Sequence, residues 1–147
     1  MQFVQPNTDT QENQVINTPV CGMEKVKILI VEDDSIIAMF TREILSRKGY
    51  NVLNAVSTAE EALNIVQKES PDLILMDITL DGPVDGIEAT RKILCSSSVP
   101  VIFITANTDD HTLKRAKDTG AFGLLRKPFM PKDLYSSVNR AIKRIPE

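Results

Sequence analysis

Side chains suited to phosphoryl chemistry stand where four apolar runs of the sequence end. Glu32 and Asp33 follow the first run, Asp77 closes the second, Thr105 follows the third and Lys127 the fourth. Magnesium prefers oxygen ligands and commonly binds one or two carboxylates together with phosphate oxygens. Three carboxylates, a hydroxyl and an ammonium therefore predict a magnesium-dependent phosphoryl-transfer site, provided that the fold brings them together.

Within this set, Asp77 is the predicted nucleophile. A carboxylate that attacks phosphorus meets strong repulsion because both partners are anionic, and a metal ion with Lys127 would neutralise that charge. The product would be an aspartyl phosphate, a known covalent form of a carboxylate nucleophile. Taken alone, Asp77 could equally cap a turn at a strand end, and the acidic run that contains Asp34 could cap a helix.

The apolar runs predict five short strands, and segments with helical periodicity separate them. The expected strands are residues 27–31, 51–55, 73–77, 99–104 and 121–125, and the expected helices are about 35–49, 57–70, 87–95, 109–120 and 131–144. Strands that alternate with helices in this way indicate βαβ units and a parallel sheet, hence an α/β fold. The pattern does not predict the order of the strands in the sheet.

The position of the polar residues at strand ends matters because parallel strands point their carboxyl ends the same way. Ligands of open α/β sheets bind outside those ends. The run 73–76 is apolar throughout, which is typical of a strand buried on both faces, so Asp77 would be held rigidly and yet be reachable from solvent. We therefore expect the five polar side chains to share one rim of the sheet.

Composition narrows the function class. The 147 residues suit one domain, and 17 Lys and Arg against 20 Asp and Glu give a net charge of −3. This weak acidity predicts neither a nucleic-acid partner nor an anionic membrane partner. No apolar run approaches the roughly 18 residues of a membrane span, and the first residues lack the features of a signal peptide, so a cytoplasmic location is expected.

Residues 1–22 lack Lys, Arg and any periodic pattern, so we interpret them as a flexible tail before a domain that comprises residues 23–147. Cys21 and Cys95 have no metal-ligand or disulfide-framework spacing. Cys95, near the end of the third helix, is expected to pack as a small apolar residue. His111, at the start of the fourth helix, is expected to face solvent.

Four motifs together resemble the signature set of response-regulator receiver domains, the phosphoacceptor domains of two-component signalling that include the chemotaxis response regulator. The resemblance covers about residues 25–145 and rests on Ile30-Val31-Glu32-Asp33, Leu75-Met76-Asp77, Ile104-Thr105-Ala106 and Lys127-Pro128-Phe129. It implies a flavodoxin-like (βα)5 three-layer sandwich with five parallel strands in the order 2-1-3-4-5.

The resemblance also implies residue roles and partners. Asp77 would accept a phosphoryl group from a histidine kinase or a phosphotransfer protein, and Mg²⁺ would bind Glu32, Asp33, Asp77 and the backbone carbonyl of Thr79. Thr105 and Lys127 would contact phosphoryl oxygens, and the Lys127–Pro128 peptide bond would be cis. A face made of the fourth helix, fifth strand and fifth helix would then signal to a protein target or output domain, or form a homodimer.

The chain departs from the family pattern at two places. Position 124 is a leucine where similar receivers carry an aromatic side chain that moves inward with Thr105, so Leu124 is the expected partner of Thr105 in the switch. The loop of residues 80–86 is one residue longer than usual. Thr79 and Asn107 occupy positions that control water attack on the acyl phosphate in similar receivers.

Two alternatives remain open at this point. The chain could be a receiver-like interaction domain that signals without phosphate, although the intact acidic pair and Lys127 argue against this. It could instead be a magnesium-dependent phosphohydrolase, but such enzymes with an aspartyl nucleophile typically carry a second acid two residues later, where this chain has Thr79. The receiver hypothesis, by contrast, predicts no enzyme activity beyond self-catalysed phosphoryl transfer and autodephosphorylation.

Overall fold

The computed structural model describes residues 25–107 and 109–143, and within them five strands alternate with five helices. The strands are β1 (Lys27–Val31), β2 (Asn51–Val52), β3 (Leu73–Asp77), β4 (Val101–Thr105) and β5 (Gly123–Arg126). The helices are α1 (Ser35–Arg47), α2 (Ala59–Glu69), α3 (Gly86–Leu94), α4 (Asp110–Lys117) and α5 (Pro131–Lys143). This alternation confirms the predicted α/β class.

All four strand pairings are parallel, and the order across the sheet is β2-β1-β3-β4-β5, which confirms the expected 2-1-3-4-5 arrangement. One row of the register runs through Ile30, Leu75, Ile102 and Gly123. The order reverses between β1 and β3, so the crevice outside their carboxyl ends is the expected ligand position in an open α/β sheet. Glu32 follows β1 and Asp77 ends β3, directly at this crevice.

The core lies on both faces of the sheet because successive strand residues point to opposite sides. On one face, Leu29, Ile74, Met76 and Phe103 pack with apolar residues of α2 and α3 and with Ala116 of α4. On the other face, side chains of β1, β3 and β4 pack with residues of α1 and α5, namely Ile28, Ile30, Leu75, Ile102, Leu45, Leu134 and Val138. The result is the predicted three-layer sandwich, with a central β3 whose five residues are all buried.

Four helices begin at side chains that accept hydrogen bonds from free backbone N–H groups. Asp34 caps α1, Thr58 caps α2, Asp85 caps α3 and Asp109 caps α4. Such caps stabilise helix termini by about 1 kcal/mol each. The interpretation of Asp34 as a helix cap is therefore correct, and it leaves Glu32 and Asp33 free to face the crevice.

Several sequence-based expectations differ from the structure. The second strand is shorter than the expected 51–55, since the chain leaves the sheet edge after Val52 and returns only through a bridge between Val31 and Val56. Cys95 is exposed at the C-cap of α3, so its expected packing was wrong: at about 100° per residue, position 95 falls opposite the buried face that Gly86, Thr90 and Ile93 form. His111 is exposed, as predicted.

The predicted tail, residues 1–22, lies outside the described residues, as does the other cysteine, Cys21. Among the described helices, none has the length and apolar character needed to cross a bilayer. The Lys127–Pro128 peptide bond is cis, as expected.

Candidate functional site

Three acidic side chains from two strand ends meet at the crevice between β1 and β3. Glu32, Asp33 and Asp77 each place a carboxylate oxygen so that the three atoms lie within 4.8 Å of one another. They line a cavity of about 420 Å³ together with Asp34, Ile37, Thr79, Ala106, Asn107 and Lys127. Oxygen ligands in this arrangement suit a hard divalent cation such as Mg²⁺, so the donor set fits the predicted metal.

Lys127 joins this cluster from the loop after β5. Its Nζ lies 2.9 Å from Glu32 Oε1 and 3.3 Å from Asp77 Oδ2, and the lysine side chain is 15% exposed. Burial lowers the pKa of Lys127, but the hydrogen bond to Glu32 and the charge of Asp77 outweigh it, so that its pKa is raised overall. The ammonium group therefore stays charged beside the two carboxylates.

Burial, together with the excess of negative charge in the cluster, raises the pKa values of Glu32 and Asp33. Burial and then the neighbouring Asp77 raise the pKa of Glu32 to about 7, although Lys127 acts in the opposite direction. Burial, followed by the charges of Asp77 and Asp81, also raises the pKa of Asp33. A divalent cation at this point would replace those protons and remove the repulsion.

Both carboxylate oxygens of Asp77 accept a hydrogen bond, and the residue is only 5% exposed. The backbone N–H of Thr79 donates to Oδ1 at 3.2 Å, and Lys127 Nζ donates to Oδ2 at 3.3 Å. Asp77 ends the central strand, where it pairs with Ile104 of β4, and the preceding Met76 pairs with Val31 of β1. Asp77 is thus a preorganised carboxylate at the floor of an open pocket.

Thr105 lies close to the acidic cluster in the sheet, but its hydroxyl is hydrogen-bonded to Asn107. It follows Ile104, which pairs with Asp77, and it is buried. Its Oγ1 accepts a 2.9 Å hydrogen bond from the backbone N–H of Asn107, so the hydroxyl is tied to the loop after β4. A phosphoryl group on Asp77 would offer this hydroxyl a stronger, charged acceptor.

The remaining predicted residues occupy the expected regions. Thr79 is exposed and lines the pocket, while a role for its carbonyl as a metal ligand stays a prediction. Leu124 is half-buried on β5 and lines a separate cavity of about 770 Å³ between α4 and β5, with Phe103, Leu113 and Ala116 among its walls. Leu124, the expected switch residue, therefore lies beside open space.

Two residues near the pocket were missed by sequence reasoning. Asp81 lies close enough to Asp33 to raise its pKa, and the backbone at Asp81 pairs with Thr58 across the rim. Gly86, the first residue of α3, contacts the backbone of Asp77. The Asp85-Gly86 pair before a helix was the available signal for the second contact, since glycine commonly permits close approach between backbones.

An apolar surface borders the acidic pocket. Among the described residues, the large apolar side chains that are clearly exposed are Ile36, Met39 and Phe40 of α1 and Met130 before α5. Met39 lines a groove of about 520 Å³ that Glu32 and Asp33 share, and the ring of Phe40 lies 6.2 Å from that of Phe129. Exposed apolar patches beside a polar site commonly mark interaction surfaces.

Known proteins are similar to this one over most of the chain. Residues 28–139 match the family model of the response regulator receiver domain. Transcriptional regulatory protein PdtaR of Mycobacterium tuberculosis is 32% identical over 121 residues, which cover 82% of this chain and 58% of that protein. Transcriptional regulatory protein YvrH of Bacillus subtilis is 36% identical over 123 residues, covering 83% of this chain and 51% of the relative. The chain spans little more than half the length of these relatives.

Solved structures agree with the fold. The signal receiver domain of a modulated diguanylate cyclase from Desulfovibrio desulfuricans superposes with a TM-score of 0.77 at 36% identity, covering 82% of this chain and 96% of that one. A CheY-like response regulator receiver domain from Methanospirillum hungatei gives a TM-score of 0.76 at 29% identity, covering 82% and 95% of the two chains.

Proposed function

The chain belongs to the response-regulator receiver family of two-component signalling, and from this premise we propose that it accepts a phosphoryl group on Asp77 in a magnesium-dependent reaction. The observation that carries the proposal is the meeting of Glu32, Asp33 and Asp77 within 4.8 Å, with Lys127 in contact with two of them. Receiver domains typically signal rather than catalyse turnover, and the proposed reaction modifies only the chain itself.

Asp77 and Lys127 have different roles in the proposed phosphoryl transfer. An oxygen of Asp77 attacks phosphorus and forms the acyl phosphate bond, while the bond from phosphorus to the donor nitrogen breaks and the donor keeps its electron pair. Lys127 already donates to Asp77 Oδ2 and would continue to balance charge on the arriving phosphoryl oxygens. The buried position of Asp77 limits water at the nucleophile.

Mg²⁺ is the proposed cofactor, held by Glu32, Asp33 and Asp77 with the carbonyl of Thr79 as a further ligand. When bound, it would supply the positive charge that lets an anionic nucleophile approach an anionic phosphoryl group. The protonated state of Glu32 favoured by its raised pKa implies that ion binding releases a proton.

A protein phosphodonor is the proposed partner, either a histidine kinase or a phosphotransfer protein. The apolar surface of Ile36, Met39, Phe40 and Met130 beside the pocket supports docking of a partner that brings its phosphohistidine to Asp77. A small phosphodonor would need no such surface.

The proposed output is a change at the face of α4, β5 and α5, driven when the Thr105 hydroxyl moves from the loop after β4 to the phosphoryl group. Leu124 beside the cavity between α4 and β5 supports repacking at that face. The recipient would be a target protein, an output domain or a second copy of the chain. We also propose that residues 23–147 form the receiver unit, which the family match from residue 28 supports.

Incubation with acetyl phosphate and Mg²⁺, followed by intact-mass measurement, tests the proposal. The native chain should gain the mass of one phosphoryl group, and Asp77→Asn should gain none. Asp118→Asn, which changes an exposed carboxylate at the C-cap of α4, is the matched control and should react like the native chain. Equal labelling of the native chain and Asp77→Asn would contradict the proposal, and no labelling of the native chain would favour a phosphate-independent interaction domain.

A further inference from the structure

The first residue of α3 packs directly on the backbone of Asp77. A Cβ atom placed on Gly86 would lie 2.0 Å from the Asp77 carbonyl oxygen, 2.9 Å from its carbonyl carbon and 3.0 Å from the Ile78 Cα. The Gly86 N–H donates to the Ile78 carbonyl at 2.8 Å. Glycine is required here by proximity, because any side chain would overlap a backbone group that cannot move aside as a flexible side chain can.

The same turn of α3 is tied to α4 by a cation. Asp85 accepts the α3 capping hydrogen bond from Glu88 N through Oδ1 at 2.9 Å, and its Oδ2 lies 3.2 Å from Arg115 Nη2. Arg115 Nη2 also lies 3.5 Å from Glu88 Oε2. The guanidinium is 30% exposed and lies between the N-cap carboxylate of α3 and an acid of its first turn.

We propose that Gly86 is a positioning residue for the reacting carboxylate, and that Arg115 holds the turn containing Gly86 in place through Asp85 and Glu88. The inference rests on the proposed function, since it concerns the nucleophile of that reaction. It assigns a role to α3 and α4 in setting the geometry of the nucleophile, in addition to the contacts that Lys127 and Thr79 make with its carboxylate.

The direction of the Asp77 side chain depends on the backbone that Gly86 contacts. β3 is paired on both sides, with Met76 opposite Val31 and Asp77 opposite Ile104, so the strand cannot shift without breaking the sheet. A methyl group at position 86 must therefore either rotate the peptide between Asp77 and Ile78 or displace the start of α3. A misplacement of about 1 Å at a reacting group can cost roughly 100-fold in rate.

The test compares Gly86→Ala with Gly123→Ala, a matched control whose added Cβ would meet no atom within 4 Å. Rates of labelling by acetyl phosphate at saturating Mg²⁺ are measured well below the thermal midpoint of each variant, and Mg²⁺ affinity is measured by calorimetry. We expect Gly86→Ala to react roughly 100-fold more slowly, while Gly123→Ala keeps the native rate. A native rate for Gly86→Ala, or an equal loss in both variants, would overturn the proposal.

A second pair of variants decides the question if Gly86→Ala does not fold. Arg115→Glu places a negative charge against Asp85 and Glu88, whereas Lys114→Glu makes the same charge reversal at an exposed neighbour on α4. We expect Arg115→Glu to slow labelling by roughly fivefold or more, Arg115→Lys to restore most of the rate, and Lys114→Glu to have no effect. Labelling of Arg115→Glu at the native rate would overturn the proposal.

If the proposed function is wrong, the native chain itself will not be labelled. This outcome differs from slower labelling that is confined to the variants. Positioning would then be judged from Mg²⁺ binding to the native chain and its variants. Displacement of Asp77 should weaken that affinity in Gly86→Ala, or in Arg115→Glu if Gly86→Ala does not fold, and leave it unchanged in the matched controls. Unchanged affinity in the variant would overturn the inference.

Discussion

Lys127 Nζ lies 2.9 Å from Glu32 Oε1 at a point where the glutamate side chain is only 5% exposed. The same ammonium lies 3.3 Å from Asp77 Oδ2, so one cation bridges two buried carboxylates. With Asp33 added, three acids share a single positive charge. Burial first, and then the neighbouring Asp77, raises the pKa values of Glu32 and Asp33. Because the cluster has an excess of negative charge, it is suited to binding a divalent cation.

Replacement of Lys127 by glutamine should abolish most of the reaction. Labelling of Asp77 by acetyl phosphate should slow roughly 100- to 1,000-fold, because a buried group that stabilises charge in the transition state is lost. The measurement is the labelling rate by intact mass at saturating Mg²⁺. Lys132→Gln, at an exposed position of α5, is the control, and a native rate for Lys127→Gln would contradict the assigned role.

Protonation of Glu32 should make the metal-free chain more stable in acid. Its pKa is about 7 when folded against a usual 4.5, so this stabilising contribution is complete below about pH 4.5 and is lost as the pH rises through about 7. The difference should amount to at most about 3 kcal/mol. Urea unfolding between pH 4.5 and pH 8 in a chelator measures it, and Glu32→Gln should reduce the slope.

Glu43→Gln serves as the control for that series, since Glu43 is an exposed glutamate of α1 that forms an ion pair with the exposed Arg47. Its pH dependence should match that of the native chain. Addition of Mg²⁺ should raise stability chiefly at the upper end of the pH range, where Glu32 is ionised and able to bind the ion. Equal pH slopes for the native chain and Glu32→Gln would refute the role of this group.

The apolar surface of α1 should matter for a protein donor and not for a small one. Met39 is 63% exposed and borders the acidic pair, so Met39→Lys should slow transfer from a phosphorylated histidine protein by roughly tenfold or more, the scale of an interface hot spot. Labelling by acetyl phosphate should be unchanged. Asn139→Lys on the exposed side of α5 is the control, and equal slowing with both donors would point to a distorted site instead.

Replacement of Thr105 by valine should separate phosphorylation from its output. The hydroxyl accepts from Asn107 N at 2.9 Å, so its loss should cost about 1 kcal/mol of stability without removing the nucleophile. Labelling of Asp77 should persist, while phosphate-dependent NMR shifts in α4 and β5 should largely disappear. Thr105→Ser should retain them, and full shifts in the valine variant would exclude Thr105 as the switch residue.

The sheet and the chemical set at its edge could be predicted from the sequence because both depend on local patterns. Glu32, Asp77, Thr105 and Lys127 lie at or just beyond the ends of four apolar runs, and alternation with helical segments predicts that these ends share one edge. The strand order came only from family resemblance, since periodicity describes each segment separately. The second strand was predicted too long because its apolar pattern continues beyond the point where edge pairing stops.

How closely the elements approach one another depends on the packing of the folded chain and could not be predicted from local patterns. The overlap that excludes a side chain at Gly86, the contact of Arg115 with Asp85 and the exposure of Cys95 all depend on where α3 sits against β3 and α4. Such contacts join residues that are distant in the chain. A change of less than an ångström in the distance between two elements separates an arrangement that fits from one that clashes. Residue types and their spacing specify which groups reach the pocket, whereas packing of the three layers specifies the geometry in which they meet.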